Sequence, residues 1–132
     1  MNTEEKNELK RKAEESGLSP EIRTIEDGNW IKNAERTGDD RAAVGGFWKY
    51  YWQIFTQEDF PTECPFCGET LEADKIDGCH IKIDEKRLGL DSRRWLEKKY
   101  IIPGHHGCNV SYEGENQAKI RINAVEAIEK KS

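Results

Sequence analysis

The chain has 132 residues, enough for one domain with a modest core, and 36% of them are charged against 35% hydrophobic. Its net charge of −5 argues against a generally basic nucleic-acid coat, although the acidity is uneven: residues 1–63 carry 9 basic and 14 acidic side chains, and residues 64–132 carry 12 of each. No stretch reaches membrane-spanning length and Met1 to Lys6 hold no apolar run, so no membrane partner is expected, and a cytoplasmic protein with reduced thiols is.

In chain order, residues 3–17 read as a helix ended by Gly17. Its apolar content is only Leu9 and Ala13, so it has little to bury and is expected to fray or project. Ser19-Pro20-Glu21 restarts a helical signal, with Ser19 as N-cap and Pro20 in the first turn. Asp27-Gly28 breaks it, and Asn29 to Arg36 reads as another short helix with Trp30, Ile31 and Ala34. The most apolar window is Phe47 to Phe55. Phe47, Tyr51 and Phe55 fall at helical spacing with Trp48 and Trp52 alongside, so a helix is preferred and a strand is the alternative. These aromatics serve core packing first, and base stacking only if exposed.

Further on, Thr70 to Ala73 reads as a short strand, Lys75 to Ile83 as extended, and residues 92–98 as a short helix with Trp95 and Leu96. Tyr100-Ile101-Ile102 is a buried strand stopped by Pro103. Gln117 to Lys131 reads as a closing helix with Ile120, Ala124, Ala127 and Ile128 on one stripe, though Ile120 and Ile122 also suit a strand.

Every cysteine and histidine falls between Cys64 and Cys108. Cys64/Cys67 and His105/Cys108 each have two intervening residues, a spacing that lets one tight turn present two ligands to one tetrahedral ion. Thiolate with imidazole favours Zn²⁺ over the hard cations, which take oxygen. The expected structural zinc ligands are Cys64, Cys67, His105 and Cys108, with His106 and His80 as rivals to His105 for the fourth place. The bland alternatives are two disulfides, or buried free thiols. Cys79 reads as a small buried residue or a spare thiol; Asp77, Asp84 and Asp91 could supply oxygen ligands but read as solvated carboxylates.

Cys64-x-x-Cys67, Gly78-Cys79-His80-Ile81, Tyr100-Ile101-Ile102-Pro103 and His105-x-x-Cys108-Asn109 together resemble the HNH endonuclease superfamily of treble-clef, ββα-metal proteins, over residues 64–115. The resemblance implies a strand histidine, matched by His80, as general base. It also implies a closing-helix residue, matched by Asn109, that helps to hold a catalytic Mg²⁺ or similar ion. Cys79 stands where an acidic residue or histidine is usual before the base. Lys98, Lys99 and Tyr100 stand where the middle Asn is expected. The metal-binding half of the pattern is kept and the catalytic half is altered.

The expected architecture is therefore α+β: a helical region over residues 1–63, and a zinc-stapled treble-clef unit with a C-terminal helix over residues 64–132, residues 20–63 forming one domain with it. The expected function is a binding module for nucleic acid or protein without nuclease activity. DNA or RNA would be met through Arg87, Arg93, Arg94, Lys98 and Lys99. The alternatives are a metal-dependent endonuclease using His80, and a thiol oxidoreductase, because Cys64-Pro65-Phe66-Cys67 also resembles the glutaredoxin dithiol site. That last chemistry needs an apolar strand before the first cysteine and a helix behind it. Asp59 to Glu63 and Gly68 supply neither.

Overall fold

The computed structural model describes residues 1–34, 41–85, 93–111 and 114–130. Among them are three α-helices and one six-stranded sheet. In chain order these are α1 (Thr3–Glu15), β1 (Ile22–Ile25), β2 (Trp30–Asn33), α2 (Trp48–Thr56), β3 (Ile76–Ile83), β4 (Tyr100–His105), α3 (His106–Ser111), β5 (Glu115–Gln117) and β6 (Ile122–Glu126). The strands lie in the order β1-β6-β4-β3-β2-β5 and every neighbouring pair is antiparallel. Two strands from the front of the chain thus complete a sheet whose centre comes from the back.

Helix α1 starts on Asn2, whose side chain accepts the Glu5 N–H at 2.8 Å. It does not project: Ala13 is buried, Leu9 and Leu18 pack on the core, and buried Lys6 reaches Asp59 at 3.3 Å. Helix α2 forms where the aromatic spacing requires it. It buries Tyr51, Trp52, Ile54 and Phe55, each worth about 1.5–3 kcal/mol of transfer free energy. Two polar ties fix its pose on the sheet. The Trp52 indole N–H donates to the Asn123 carbonyl at 2.7 Å. The Tyr51 hydroxyl donates to the Glu126 carbonyl and accepts from the Ile128 N–H.

The expected helices at Pro20 and at Asn29 are strands instead. Ile22, Thr24 and Ile25 are β-branched, and β1 pairs with β6 from Ile22↔Val125 to Ile25↔Ile122. Ile31, fully buried, sits between β3 and β5. Among the described residues the expected closing helix over 117–131 is also absent. Of its expected stripe only Ala124 lies in β6, where Ile122, Ala124 and Val125 are all buried because the strand lies inside the sheet between β1 and β4. A strand covered on both faces carries an unbroken apolar run, which imitates a helical stripe. Pro103 does not stop β4, which continues to His105. Beyond Ile101 the strand pairs with β3 alone, so the missing proline N–H falls on an edge. Residues 93–98 are not helical, and Trp95 bridges to Asp84. Thr70 makes only a single bridge, to Glu63.

Candidate metal centre

Two segments distant in sequence meet at one end of the β3–β4 hairpin. The first is a tight turn opened by Cys64, closed by the Gly68 N–H donating to the Cys64 carbonyl and by the Cys64 N–H donating to the Glu69 carbonyl, each at 2.8 Å. Gly68 takes φ of 77°, a left-handed value that glycine tolerates. Phe66 is buried beneath this turn, and a Cβ on Gly104 would come within 2.8 Å of its ring. Glycine in β4 therefore lets the strand pass this close under the turn. The second segment is the junction of β4 and α3, which presents His105 and Cys108.

The donor atoms of Cys64, Cys67, His105 and Cys108 all lie within 4.8 Å of one another. The Cys64 and Cys108 sulfurs are 4.0 Å apart, and the Cys67 sulfur is 3.3 Å from His105 Nδ1. A tetrahedral ion with Zn–S of about 2.3 Å and Zn–N of about 2.0–2.1 Å has edges of about 3.8 and 3.6 Å. The two separations match those edges within a few tenths of an ångström, so the residues fit a metal ion such as zinc.

His105 is also set up electronically. Its Nε2 lies 2.9 Å from the Thr70 carbonyl. A carbonyl only accepts, so Nε2 carries the proton and Nδ1 keeps its lone pair for the cluster. The His105 backbone N–H donates to the Cys64 sulfur at 3.5 Å. Burial first, then the neighbouring Cys64 and Cys67, push the Cys108 thiol up to about 12. A divalent cation reverses that balance and takes the sulfurs as thiolates.

The other candidate residues lie elsewhere. His106 is not in the cluster; its Nδ1 is 2.6 Å from Asp77 Oδ2, which also accepts from the Asn109 amide at 3.0 Å. Asp77 and Asn109 line a cavity of about 280 Å³ with Phe47, Trp48 and Lys49, and His80 is not among its lining residues. His80 is 6% exposed, with its ring edge-on to Trp48 at 4.6 Å between centroids. Strand alternation places Asp77 and His80 on opposite faces of β3. Cys79 is buried outside the cluster, and burial followed by the Asp77 charge raises its thiol well above the usual range.

Of the basic residues between the ligand pairs, Arg87 and the neighbouring Asp91 lie outside the described residues. Arg94 pairs with Glu85 at 3.1 Å. Lys98 reaches Glu21 at 3.1 Å and Glu126 at 3.6 Å. Arg93 lies over the Trp30 ring, 3.9 Å from its centroid. The sequence reading missed the Thr70 carbonyl, which no side-chain pattern reveals, and the Asp77–His106–Asn109 cluster. Among the described residues no helix is long and apolar enough to cross a membrane. A scan against protein-family models gives no match, and comparisons with curated proteins and with solved structures give none either.

Proposed function

We propose that this chain is a binding module stapled by one structural zinc ion on an HNH-like treble-clef scaffold, without nuclease activity. The observation that carries the reading is the donor set itself: three sulfurs and one imidazole nitrogen make a complete tetrahedral shell. A zinc so held keeps no open position for a water or a substrate, as a hydrolytic zinc must. The order of Cys-x-x-Cys turn, β3–β4 hairpin and α3 supports the treble-clef reading. Burial of His80 against Trp48 counts against its use as a general base, because a base must reach the attacking water.

The second reading, a metal-dependent endonuclease, is favoured by the cluster at Asp77. There a carboxylate, His106 and Asn109 converge beside a cavity, an arrangement that suits a Mg²⁺-type ion better than zinc. Metal analysis of protein purified without chelator, together with cleavage assays on plasmid and single-stranded DNA in Mg²⁺, Mn²⁺ and Ni²⁺, separates the two. The expected result is one zinc per chain and no cleavage. Cleavage by the wild type that disappears in His80→Ala or Asp77→Asn would make the protein an enzyme.

A further inference from the structure

We propose that the sheet face built from Trp30, Lys32, Lys82, Arg93 and Trp95, with Lys99 beside it, binds a segment of single-stranded nucleic acid. The proposal rests on the binding-module reading and names its partner. It starts from an arrangement that costs stability. Lys32 and Lys82 stand directly opposite each other in the β2–β3 ladder, and like charges so placed repel. The Lys82 ammonium is held in that position by the Leu96 and Glu97 carbonyls. Burial, then Lys99, then Lys32 bring its pKa down, with Glu97 the opposing acid. Of the other acids nearby, Asp84 accepts the Arg94 backbone N–H, Glu85 pairs with the Arg94 guanidinium, and Glu115 stands opposite Lys32 on the β2–β5 side, one acid beside Lys32, Lys82 and Lys99. A polyanion relieves this repulsion.

The second observation is independent of the first. The cations are seated on indoles: the Lys32 ammonium is 4.7 Å from the Trp95 ring centroid, and the Arg93 guanidinium 3.9 Å from that of Trp30. All four side chains are half-buried, so they are held in place yet wet. Cation and aromatic thus alternate across the face, as phosphate and base alternate along a nucleic-acid strand. Trp30 and Lys32 are two residues apart on one face of β2, about 7 Å, comparable to the span of one extended nucleotide. A sheet face offers no helix for a duplex major groove, while its indoles offer planes to unpaired bases.

The face lies well away from the metal cluster. Lys82 is six residues along β3 from Ile76, whose partner in the ladder is His105, or about 20 Å. Charge changes here therefore leave zinc binding intact, and failure of this proposal is distinguishable from failure of the zinc-staple reading.

The test is fluorescence anisotropy with labelled oligo-dT, a matched duplex and oligo-U, on the zinc-loaded full chain. Single strands bind in preference to the duplex. Four phosphate contacts at Lys32, Lys82, Arg93 and Lys99 imply a log–log salt slope of about −2.8, or roughly a 50-fold loss between 50 and 200 mM salt. Trp95→Ala lowers affinity roughly five- to 100-fold, and Lys32→Glu lowers it and flattens the slope, while zinc content and far-UV circular dichroism stay as in the wild type. Should either variant fold poorly, Lys99→Gln and the wild-type salt slope carry the same test. The proposal is overturned if the wild type binds no oligonucleotide while holding its zinc. It is equally overturned if folded variants bind as the wild type does, or if poly-glutamate competes as well as unlabelled oligo-dT.

Discussion

Under the zinc-staple proposal, Cys108→Ser changes one atom and removes a thiolate ligand, so its effect measures what the metal contributes to the fold. Cys64 and Cys108 are 44 residues apart in sequence. Cross-linking a loop of that length removes conformational freedom from the unfolded chain worth roughly 4 kcal/mol. A domain of this size is stable by about 5–15 kcal/mol, so the staple supplies a large share. At about 4 °C per kcal/mol, losing it lowers Tm by roughly 15 °C. The sheet has its own core in Ile31, Ile81, Ile101, Ile102 and Val125. Metal loss is therefore expected to free the Cys64–Thr70 turn and α3 first, while β3, β4 and β6 stay paired. Thermal unfolding followed by circular dichroism, with and without chelator and after zinc is restored, measures the shift. Amide exchange locates it. Cys79→Ala, outside the cluster, should leave zinc stoichiometry unchanged. A Tm that moves by less than about 3 °C on complete metal removal, or exchange that accelerates uniformly over the sheet, would refute the reasoning.

Three further outcomes follow from particular contacts. In Gly78→Ala the new Cβ would meet the Lys49 nitrogen and the Trp48 carbonyl carbon at 2.4 Å. It pushes α2 off β3 and costs about 3 kcal/mol or more, read by urea denaturation. Tyr51→Phe orphans the Glu126 carbonyl and the Ile128 N–H, at about 1–3 kcal/mol. Burial raises the Tyr51 pKa above its ordinary value. Its contribution is thus complete below about pH 10, where the unfolded phenol titrates, and is lost as pH rises beyond that; the mutant should show a shallower alkaline decline in stability. With zinc bound, thiol reagents should modify no ligand cysteine quickly. After chelation Cys67, which is exposed, should react first and buried Cys79 last, as peptide mapping would reveal; prompt alkylation of a protein that holds no zinc when purified without chelator would favour the oxidoreductase reading.

The elements legible in the sequence are those whose pattern is carried by residues close together in the chain. Helix α2 shows its aromatic spacing at Tyr51 and Phe55, inside an unbroken buried run from Tyr51 to Phe55, and β3 shows Cys79, Ile81 and Ile83 at every second position. The elements misread are those whose burial depends on partners remote in sequence. β1 and β6 are joined across a hundred residues by Ile22↔Val125, and neither shows by itself which period it obeys. Ala124 and Val125 are neighbours in sequence and buried on opposite faces, a pattern that local periodicity assigns to a helix as readily as to a central strand. Pro103 misleads for the same reason: whether a proline ends a strand depends on which edge it faces, and β6 stops short of it.

The cluster of Cys64, Cys67, His105 and Cys108 was legible because its chemistry is written in close pairs, and each pair needs only one turn to converge. Choosing between the adjacent histidines was harder. His105 and His106 follow each other at the end of β4, so their side chains diverge, and what separates them is the Thr70 carbonyl waiting for the Nε2 proton of the first and the Asp77 carboxylate beside the second. Neither partner is recognisable from spacing. The same holds for the basic residues. Arg94 and Lys98 look available in the sequence, but the fold gives them Glu85, Glu21 and Glu126, while Lys32, remote in sequence, is brought opposite Lys82. A surface is defined by how the sheet arranges its charges. In this chain two lysines face each other across a ladder, with Glu115 on the far side of Lys32 and with indoles beneath Lys32 and Arg93.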